Sequence, residues 1–419
     1  MKEKEIIEGY ELAKKVYAEE DVDVDKAMEK LDQIPLSLHC WQADDVKGFL
    51  FNEALSGGIQ VNGNYPGVAR NVKEVRQDLE EVLSLLPGHF KVNLHAIYAD
   101  TPEKVDLDQL EPKHFASWVD WAKKEKVGLD FNPTCFSHPK AVNATLSNQD
   151  EGVRQFWIEH CKRCNKIAAY FGESLGEKAM TNIWIPDGMK DQPIDRMGPR
   201  KRLLDSLDQI IAEPEANCEY NLDSVESKLF GIGLESYTVG SNEFYLGYAA
   251  TRHISLTMDM GHFHPTEVVS DKISAVLLYV PHLLLHVSRP VRWDSDHVVI
   301  FDDELVEVAR NLIRTGAIDR TSIALDYFDG SINRIAAYVI GVRATQLALL
   351  KAYLEPTEKL KEIELKRDYS DRLYFQEHYK EMPYAAVYDY YCWKHGKKTG
   401  EELLDQIHDY EAKVLAKRN

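Results

Sequence analysis

Cysteine is scarce in this sequence, with six residues among 419, at positions 40, 135, 161, 164, 218 and 392. They are scattered, which excludes the disulfide framework of a small secreted domain and favours a reducing, cytoplasmic location. Only Cys161 and Cys164 lie close together, within an amphipathic run over residues 151–170. Because no second cysteine pair accompanies them, we expect two thiols on a helix rather than a zinc or redox site.

Positive charge is also in short supply. The 50 lysines and arginines stand against 69 aspartates and glutamates, which gives a formal net charge of −19. A field of that sign repels phosphate backbones and anionic lipid surfaces. We therefore expect neither nucleic acid nor a membrane among the partners, and a small molecule or a cation remains.

Three kinds of segment are missing as well. The stretch that we take as most apolar, residues 275–287, contains Pro281, His282 and His286 and is too short to cross a bilayer. The N-terminus begins with charged residues and lacks the apolar segment of a secretion signal. No predicted strand is followed by a glycine-rich phosphate-binding motif, so no nucleotide cofactor is expected.

What the sequence does contain is an alternation of short apolar runs and longer helical stretches. Hydrophobic residues make up 44% and charged residues 28%, as in ordinary globular proteins. Most of the runs are apolar without strict alternation, which is typical of strands covered on both faces. Eight strand–helix units favour an α/β fold of the (β/α)8 TIM barrel type over an open doubly wound sheet. The eight predicted strands are Pro35–Trp41, Lys91–Tyr98, Val127–Pro133, Thr181–Pro186, Val225–Gly231, Ile254–Phe263, Leu283–Pro290 and Ser322–Phe328.

The two ends of the chain differ from this pattern. We predict an N-terminal helical segment over residues 1–33, the barrel over 34–345, and a charged, tyrosine-rich helical extension over 346–419. The extension is expected to pack on the barrel or on another subunit of a homo-oligomer. Residues 56–67 hold four glycines after the first predicted strand. This loop is either a mobile lid over the active site or a plain surface loop.

Polar residues gather at the ends of the last four predicted strands, which in a TIM barrel meet at the face where active sites form. Glu226 and Lys228 are two residues apart, which places both side chains on one side of the fifth predicted strand. The other polar residues near these strand ends are Asp259, His262, His286, Asp294, Asp296 and Asp326. Taken singly, each has an ordinary explanation, such as a core histidine, a turn or a surface ion pair.

Together these residues point to bound metal. Gathering five carboxylates in a poorly solvated place is unfavourable unless cations share it. Two divalent ions and the Lys228 ammonium would balance the five negative charges. Ligands rich in oxygen, with one histidine for each ion, favour Mn²⁺, Mg²⁺ or Co²⁺ over a thiolate-type zinc site.

The order E-x-K, D-x-x-H, H, D-x-D and D over these strands resembles the two-metal barrels of the xylose isomerase type. More specifically, the sequence resembles the L-rhamnose isomerase family over essentially its whole length. The motifs that show the resemblance are LHCWQADDV at 38–46, NIWIPDG at 182–188, VESKLFGIG at 225–233, TMDMGHFHPTE at 257–267, HVSRPVRWDSDHVV at 286–299 and ALDYFD at 324–329.

The resemblance implies two metal ions, most typically Mn²⁺, with Co²⁺, Mg²⁺ and Zn²⁺ suiting the same ligands. The implied ligands are Glu226, Asp259, His286 and Asp326 for a structural metal and His262, Asp294 and Asp296 for a catalytic metal, with Asp259 able to bridge both. The implied catalytic residues are Lys228, His95 and Asp326. The implied substrate contacts are His95, Lys228 and Trp184, with Trp41 and Phe131 as apolar walls that could equally be ordinary barrel packing.

The reaction implied by the resemblance converts L-rhamnose to L-rhamnulose, in L-rhamnose catabolism, by a homotetramer. Moving a hydrogen from C2 to C1 requires both sugar oxygens to be held and polarised together, which suits a metal pair. The hydrogen can move as a hydride or as a proton through an enediol, and the sequence favours neither route. No nicotinamide is needed, because the reaction involves no net redox change.

Other interpretations of the same residues stay open on sequence grounds. A metal-dependent sugar epimerase or a phosphodiesterase would use similar D-x-D and D-x-x-H elements, and an isomerase of a different aldose would share the ligand set. A sugar-binding protein on a decayed barrel would have lost a metal ligand, and no expected ligand position is missing.

Overall fold

The computed structural model describes residues 3–51 and 55–418, and at its centre eight parallel strands close into a barrel. Two further strands, β5 and β7, form a small antiparallel pair beside it. The strands are β1 Pro35–His39, β2 His89–His95, β3 Gly128–Asn132, β4 Ala179–Ile183, β5 Gly188–Met189, β6 Asn221–Glu226, β7 Tyr237–Thr238, β8 Ser255–Asp259, β9 Leu283–Val287 and β10 Thr321–Leu325. Around the barrel the order is β1, β10, β9, β8, β6, β4, β3, β2.

Each of the eight predicted strands overlaps one strand of the barrel, although the fifth overlaps only at its end. Strands β3, β4, β8 and β9 are buried along their entire length, as strands covered on both faces should be. The closed barrel of eight parallel strands, with helices between them along the chain, confirms the (β/α)8 fold.

The fifth barrel strand lies earlier in the sequence than predicted. Strand β6 begins at Asn221 and ends at Glu226, because Asn221 and Asp223 pair with β4 although they are polar. Beyond the strand the chain turns away, and the Lys228 amide donates to the Gly240 carbonyl at 3.1 Å. The prediction that Lys228 lies on this strand was therefore wrong, since Lys228 follows the strand's end by two residues.

The helices follow the strands and cover the barrel. They are α1 Glu3–Ala18, α2 Val24–Asp32, α3 Val72–Leu85, α4 Ala116–Glu125, α5 Glu151–Leu175, α6 Met197–Ile211, α7 Asn242–Arg252, α8 Ile273–Val276, α9 Asp303–Arg314, α10 Arg334–Tyr353, α11 Thr357–Leu365, α12 Tyr369–His378, α13 Tyr384–Lys394 and α14 Glu401–Lys413. Capping residues set the ends of these helices. At the start of α5 the Asp150 carboxylate accepts from the Val153 amide at 3.0 Å, and at its end Gly176 adopts a left-handed conformation. Helix α5 buries both Cys161 and Cys164, and all six cysteines are free.

The terminal helices pack on each other. The rings of Tyr10 on α1 and Tyr390 on α13 stack at 3.7 Å between centroids. Tyr379 and Tyr391 of the extension donate to Glu20 and to Asp32, at 2.8 and 2.6 Å. The tyrosines of the extension that face the N-terminal helices therefore hold the two ends of the chain together.

Helix α10 differs from two expectations. It spans residue 346, so the predicted start of the extension lies inside this helix. It is also, unlike residues 275–287, long and apolar enough to cross a membrane by length and composition, with a mean hydropathy of 1.3. Because 72% of that apolar window is buried inside the protein, α10 has the character of a core helix.

Candidate metal centre

Most of the predicted site residues come together in a cavity at the carboxyl end of the barrel. Asp259 lies at the end of β8 and is almost completely buried. The predicted residues that line the cavity are Trp41, His95, Trp184, Glu226, Lys228, His262, His286, Asp294, Asp296 and Asp326.

The first cluster of ligand groups consists of Glu226, Asp259, His286 and Asp326, whose ligand atoms lie within 4.8 Å of one another. His286 Nδ1 is 3.0 Å from Glu226 Oε1, 3.0 Å from Asp326 Oδ2 and 3.7 Å from Asp259 Oδ2. Three carboxylates thus converge on a single imidazole nitrogen. This is the complete set that the sequence assigned to the structural metal.

The second cluster consists of Asp259, His262 and Asp294. His262 Nε2 lies 3.2 Å from Asp294 Oδ2. Asp259 belongs to both clusters, as a bridging carboxylate would. Asp296 lines the same cavity without being a member of either cluster, and its backbone has a φ of 47°, a conformation that aspartate tolerates better than most residues.

A glycine shapes the turn between these ligands. Gly261 follows Asp259 by two residues, and its amide donates to Asp259 Oδ1 at 2.6 Å. A Cβ atom at this position would lie 2.7 Å from Asp294 Oδ1. A side chain at position 261 would therefore displace the Asp294 carboxylate, so the close approach of the two carboxylates favours glycine here.

The charges of the site strongly perturb one another. Burial, reinforced by Asp326 and Glu226, raises the pKa of Asp259 to about 7. Burial and the neighbouring Asp294 carboxylate hold the pKa of Asp296 well above its usual range. For His262 burial favours the neutral ring, but Asp294 and Asp259 outweigh it and raise the pKa to about 10. Cations would relieve this crowding of negative charge.

Unpaired buried atoms also fit a metal pair. Asp294 Oδ1, His262 Nδ1 and His286 Nε2 are buried and make no hydrogen bond to any residue that the structure describes. Buried polar atoms normally have a partner, so such atoms within one site suit a bound ligand or an ordered water beside it. The oxygen-rich donor set, with one histidine in each cluster, matches Mn²⁺, Mg²⁺ or Co²⁺.

Lys228 supplies positive charge at the edge of the second cluster. Its ammonium forms an ion pair with Asp294 and lies 5.6 Å from the centroid of the Trp184 ring. Burial disfavours the charged form, but Asp294 and Asp296 outweigh burial and raise the pKa of Lys228. The lysine is thus protonated and faces the cavity.

His95 ends strand β2, as predicted, and its ring meets Trp41 and Phe136 edge to face at 4.9 and 5.4 Å. Burial lowers the pKa of His95 to about 3, which keeps the ring neutral. Its Nδ1 lies 3.4 Å from the Thr134 hydroxyl. A neutral imidazole on the cavity wall can hold or pass a proton.

Of the two interpretations left open for Phe131, the structure is consistent with ordinary barrel packing, since Phe131 is not among the residues that line the cavity. Phe131 is fully buried on the outer face of β3, where its ring packs at 4.9 Å on Phe115 and at 5.4 Å on Phe171 of α5. Phe136, four residues beyond the strand, lines the cavity and meets Trp184 at 6.0 Å. The alternation of strand side chains sends Phe131 outward, because its neighbours Asp130 and Asn132 point inward.

Further cavity residues were not anticipated from the sequence, namely Val46, Asn132, Phe136, Asn182 and Phe328. Asn182 stands two residues before Trp184, so the period of a strand was a usable signal for placing both on the cavity side. Phe136, Val46 and Phe328 follow strand ends in loops, whose course no periodic pattern reveals.

The glycine-rich loop, described from residue 55 onward, lies across the cavity. Gly57, Gly58 and Ile59 line it. Ser56 and Ser137 exchange two hydrogen bonds between the amide of one and the hydroxyl of the other, at 3.0 and 2.7 Å. At the other end of the loop, the buried Arg334 donates to the Tyr65 carbonyl at 2.7 Å. The loop is thus a cover attached at both ends.

Comparison with known proteins agrees with this site. A sequence profile described as L-rhamnose isomerase matches residues 4–418. Proteins named L-rhamnose isomerase from Salmonella gallinarum and Salmonella paratyphi B are each 55% identical over 414 residues, which cover 98% of this chain and 99% of each relative. Among solved structures, an L-ribulose 3-epimerase has a TM-score of 0.50 at 10% identity, covering 76% of this chain and 96% of that chain. This last likeness concerns the fold alone.

The sequence matches extend over nearly the whole chain, so they confirm the resemblance that the strand-end motifs indicated. They favour an isomerase over a phosphodiesterase or an epimerase, because the match to an isomerase family extends from end to end. A decayed barrel would match as well but would have lost a metal ligand, and all the expected ligand residues are present. The chain belongs to the L-rhamnose isomerase family and is an aldose–ketose isomerase.

Proposed function

We propose that this protein converts L-rhamnose to L-rhamnulose in L-rhamnose catabolism, with two divalent metal ions in its active site. The observation that supports this most directly is the pair of ligand clusters that share Asp259 at the carboxyl end of the barrel. A hydrogen transfer between C1 and C2 needs two neighbouring sugar oxygens held at once, and two adjacent metal sites suit that need.

Glu226, Asp259, His286 and Asp326 would hold the structural ion, and His262, Asp294 and Asp296 the catalytic ion. When bound, the ions would supply Lewis-acid stabilisation of the charge that develops on the substrate oxygens. Mn²⁺ is the proposed ion, because oxygen ligands with one histidine per site suit it and the chain offers no thiolate to either cluster.

Protein side chains would do the remaining work. The Lys228 ammonium would donate a hydrogen bond to a substrate oxygen near C1 and C2, where negative charge builds up. Neutral His95 would exchange a proton with the ring oxygen as the sugar opens. Trp184 and Trp41 would pack against the sugar, while Asp326, the most exposed carboxylate of the first cluster with 21% of its side chain accessible, is closest to solvent.

The experiment that tests this function is product identification. The purified protein is incubated with a panel of aldoses, with and without EDTA, and the ketose is identified by chromatography against standards. We expect L-rhamnulose from L-rhamnose, loss of activity in EDTA and recovery with Mn²⁺. Full activity in EDTA, or no ketose from L-rhamnose, contradicts the proposal. Metal analysis of protein purified without added metal identifies the resident ion.

The route of the hydrogen has a separate test. The reaction is run in D₂O and the deuterium at C1 of the product is measured by NMR. A hydride shift retains the substrate hydrogen, whereas an enediol route exchanges it with solvent. Extensive incorporation would exclude a hydride shift.

We further propose a cytoplasmic homotetramer with residues 1–33 and the helices after Tyr353 packed around the barrel. Six free cysteines suit a reducing compartment. Exposed apolar side chains on α11 and α12 suit a subunit contact, with Leu365 at 83%, Leu373 at 59% and Tyr374 at 66% exposure. Sedimentation should give a mass near four times the 48.0 kDa chain, and an active monomer at micromolar concentration contradicts the assembly.

A further inference from the structure

Glu226 is held by a chain of buried side chains that lies beneath the metal clusters. Asn182 Nδ2 donates to Glu226 Oε2 at 2.6 Å. The Thr257 hydroxyl donates to Asn182 Oδ1 at 2.7 Å, and the Ser224 hydroxyl lies 2.6 Å from that of Thr257. All four residues are at most 3% exposed and stand on three neighbouring strands, β4, β6 and β8.

The chemistry of these groups sets the direction of every hydrogen bond. An ionised carboxylate only accepts, so the amide nitrogen of Asn182 must face Glu226. The amide oxygen then faces Thr257, whose single proton goes to it. Thr257 can consequently only accept from Ser224, which becomes the first donor of the chain. No alternative orientation of Asn182 satisfies both neighbours.

The two oxygens of Glu226 are thereby made different. Oε2 is occupied by Asn182, while Oε1 lies 3.0 Å from His286 Nδ1 and 3.3 Å from His262 Nδ1, between the two clusters. The terminal torsion of a glutamate is soft and has no single preferred value. Without the Asn182 contact, Oε2 would lose the hydrogen bond that fixes this torsion, and only the histidine contacts of Oε1 would restrain the carboxylate.

We propose that Asn182, oriented by Thr257 and Ser224, is a positioning residue that aims one oxygen of Glu226 at the structural metal. The inference rests on the proposed function, in which Glu226 is a ligand. It assigns Asn182 no contact with the reacting atoms, although Asn182 lines the cavity. Removing the hydrogen-bond partner that orients a metal ligand typically weakens metal binding by about 10- to 100-fold.

The test is calorimetric titration of Mn²⁺ into the full chain after its metal has been removed by chelation. Asn182→Leu and Thr257→Val should each weaken one of the two Mn²⁺ sites by at least about 10-fold and leave the other site unchanged. Thr257→Ser keeps the hydroxyl and is the matched control, which should bind as the wild type does. Thermal unfolding before titration verifies that each variant is folded.

Glu226→Gln distinguishes a failure of the proposed metal assignment from a failure of the positioning role. If Glu226→Gln binds both ions normally, Glu226 is not a ligand and the proposed metal assignment fails. If Glu226→Gln loses one site while Asn182→Leu or Thr257→Val binds with wild-type affinity, the positioning role alone is overturned. Equal weakening of both metal sites in Asn182→Leu and Thr257→Val would also contradict the positioning role. These hydrogen-bonded side chains contact a ligand of the first cluster only.

Discussion

The two ends of the barrel interior treat buried charge in opposite ways. In the amino-terminal half, Lys91 pairs with Asp130 and donates to the Lys178 carbonyl at 2.8 Å. Asp130 also accepts from the Ser37 hydroxyl at 2.7 Å and from the Met180 amide at 2.9 Å. The site at the carboxyl end holds five carboxylates, three histidines and one lysine. Several of their buried atoms have no hydrogen-bond partner among the described residues.

The difference shows what each end is for. Charges that are balanced and hydrogen-bonded by fixed neighbours keep the barrel closed, and they offer nothing to a ligand. Charges that are crowded and incompletely paired are unfavourable by themselves and gain stability only from what binds them. Changes at the carboxyl end should therefore affect activity and metal binding, whereas changes at the amino-terminal end should affect the free energy of unfolding.

The largest effect is expected at the second metal cluster. Asp294→Asn removes a ligand charge from a loop residue, so kcat/KM should fall by about 1,000-fold or more while the melting temperature stays within a few degrees. Asp296→Asn should act in the same direction. Steady-state kinetics in saturating Mn²⁺ and thermal unfolding measure both quantities. Near-normal turnover of either variant in saturating Mn²⁺ would remove that residue from the catalytic metal.

At the opposite end, Lys91→Met should reduce stability without changing the chemistry. It leaves the Asp130 carboxylate buried without its cation, which typically costs about 3–5 kcal/mol of unfolding free energy. The folded fraction should keep its kcat. The double variant Lys91→Met/Asp130→Asn removes the buried charge and should recover part of the loss. Urea unfolding measures the stability. With both changes expressed as free energies, a change in kcat larger than the change in stability would contradict the different roles of the two ends.

Lys228 tests whether the positive charge at the carboxyl end is catalytic or only balances the carboxylates. If it donates to the substrate, Lys228→Met should lower kcat by about 100-fold with both metals bound. If it only balances charge, metal affinity should change first and activity should return at saturating metal. Metal titration beside kinetics on the same variant distinguishes the two, and we expect the catalytic outcome.

Asp223 offers a smaller effect that depends on pH. It lies on the outer face of β6, and burial raises its pKa to about 7, above the value of about 4 for an unfolded chain. The folded state thus holds this proton more tightly, so Asp223 lowers stability as pH rises from about 4 to about 7. Asp223→Asn removes the charge, and Asn165, whose Oδ1 is unpaired among the described residues, can turn its amide to accept.

Urea unfolding of Asp223→Asn at several pH values measures this effect. The variant should exceed the wild type by about 2 kcal/mol at pH 8 and by progressively less towards pH 5. A difference that does not change with pH would show that the carboxylate is not protonated in the folded protein near neutral pH.

The smallest expected effect concerns the loop that covers the cavity. Gly57 has a φ of 75°, and a Cβ atom there would lie 3.0 Å from Pro186 and 3.1 Å from Phe136. Gly57→Ala should displace the cover and raise KM by about 10-fold, or ~1.4 kcal/mol, with little change in kcat. Gly176→Ala is the matched control, because Gly176 has a φ of 68° with open space around it and ends α5 away from the cavity. An equal change of KM in both variants would exclude a role for the cover.

Sequence reasoning reached the barrel and most of the ligand clusters because their signals are local. A strand buried on both faces has an apolar run whatever its neighbours are, and a polar residue after such a run marks the face of the site. The sequence pattern placed β6 too late along the chain, because the polar residues Asn221 and Asp223 at its start do not look like a buried strand. Their partners, Thr181 and Asn165, lie 40 and 58 residues away in the sequence.

The sequence by itself determined the eight strands, the ligand types and the excess of negative charge that calls for cations. Only the tertiary structure decided that Asp296 stands beside the two clusters, that Phe136 rather than Phe131 faces the cavity, and that Asn182 donates a hydrogen bond to Glu226. The physical reason is that periodicity and composition depend on neighbours along the chain. Coordination, packing and hydrogen-bond direction depend on atoms that approach within about 3 to 4 Å only after the barrel has closed.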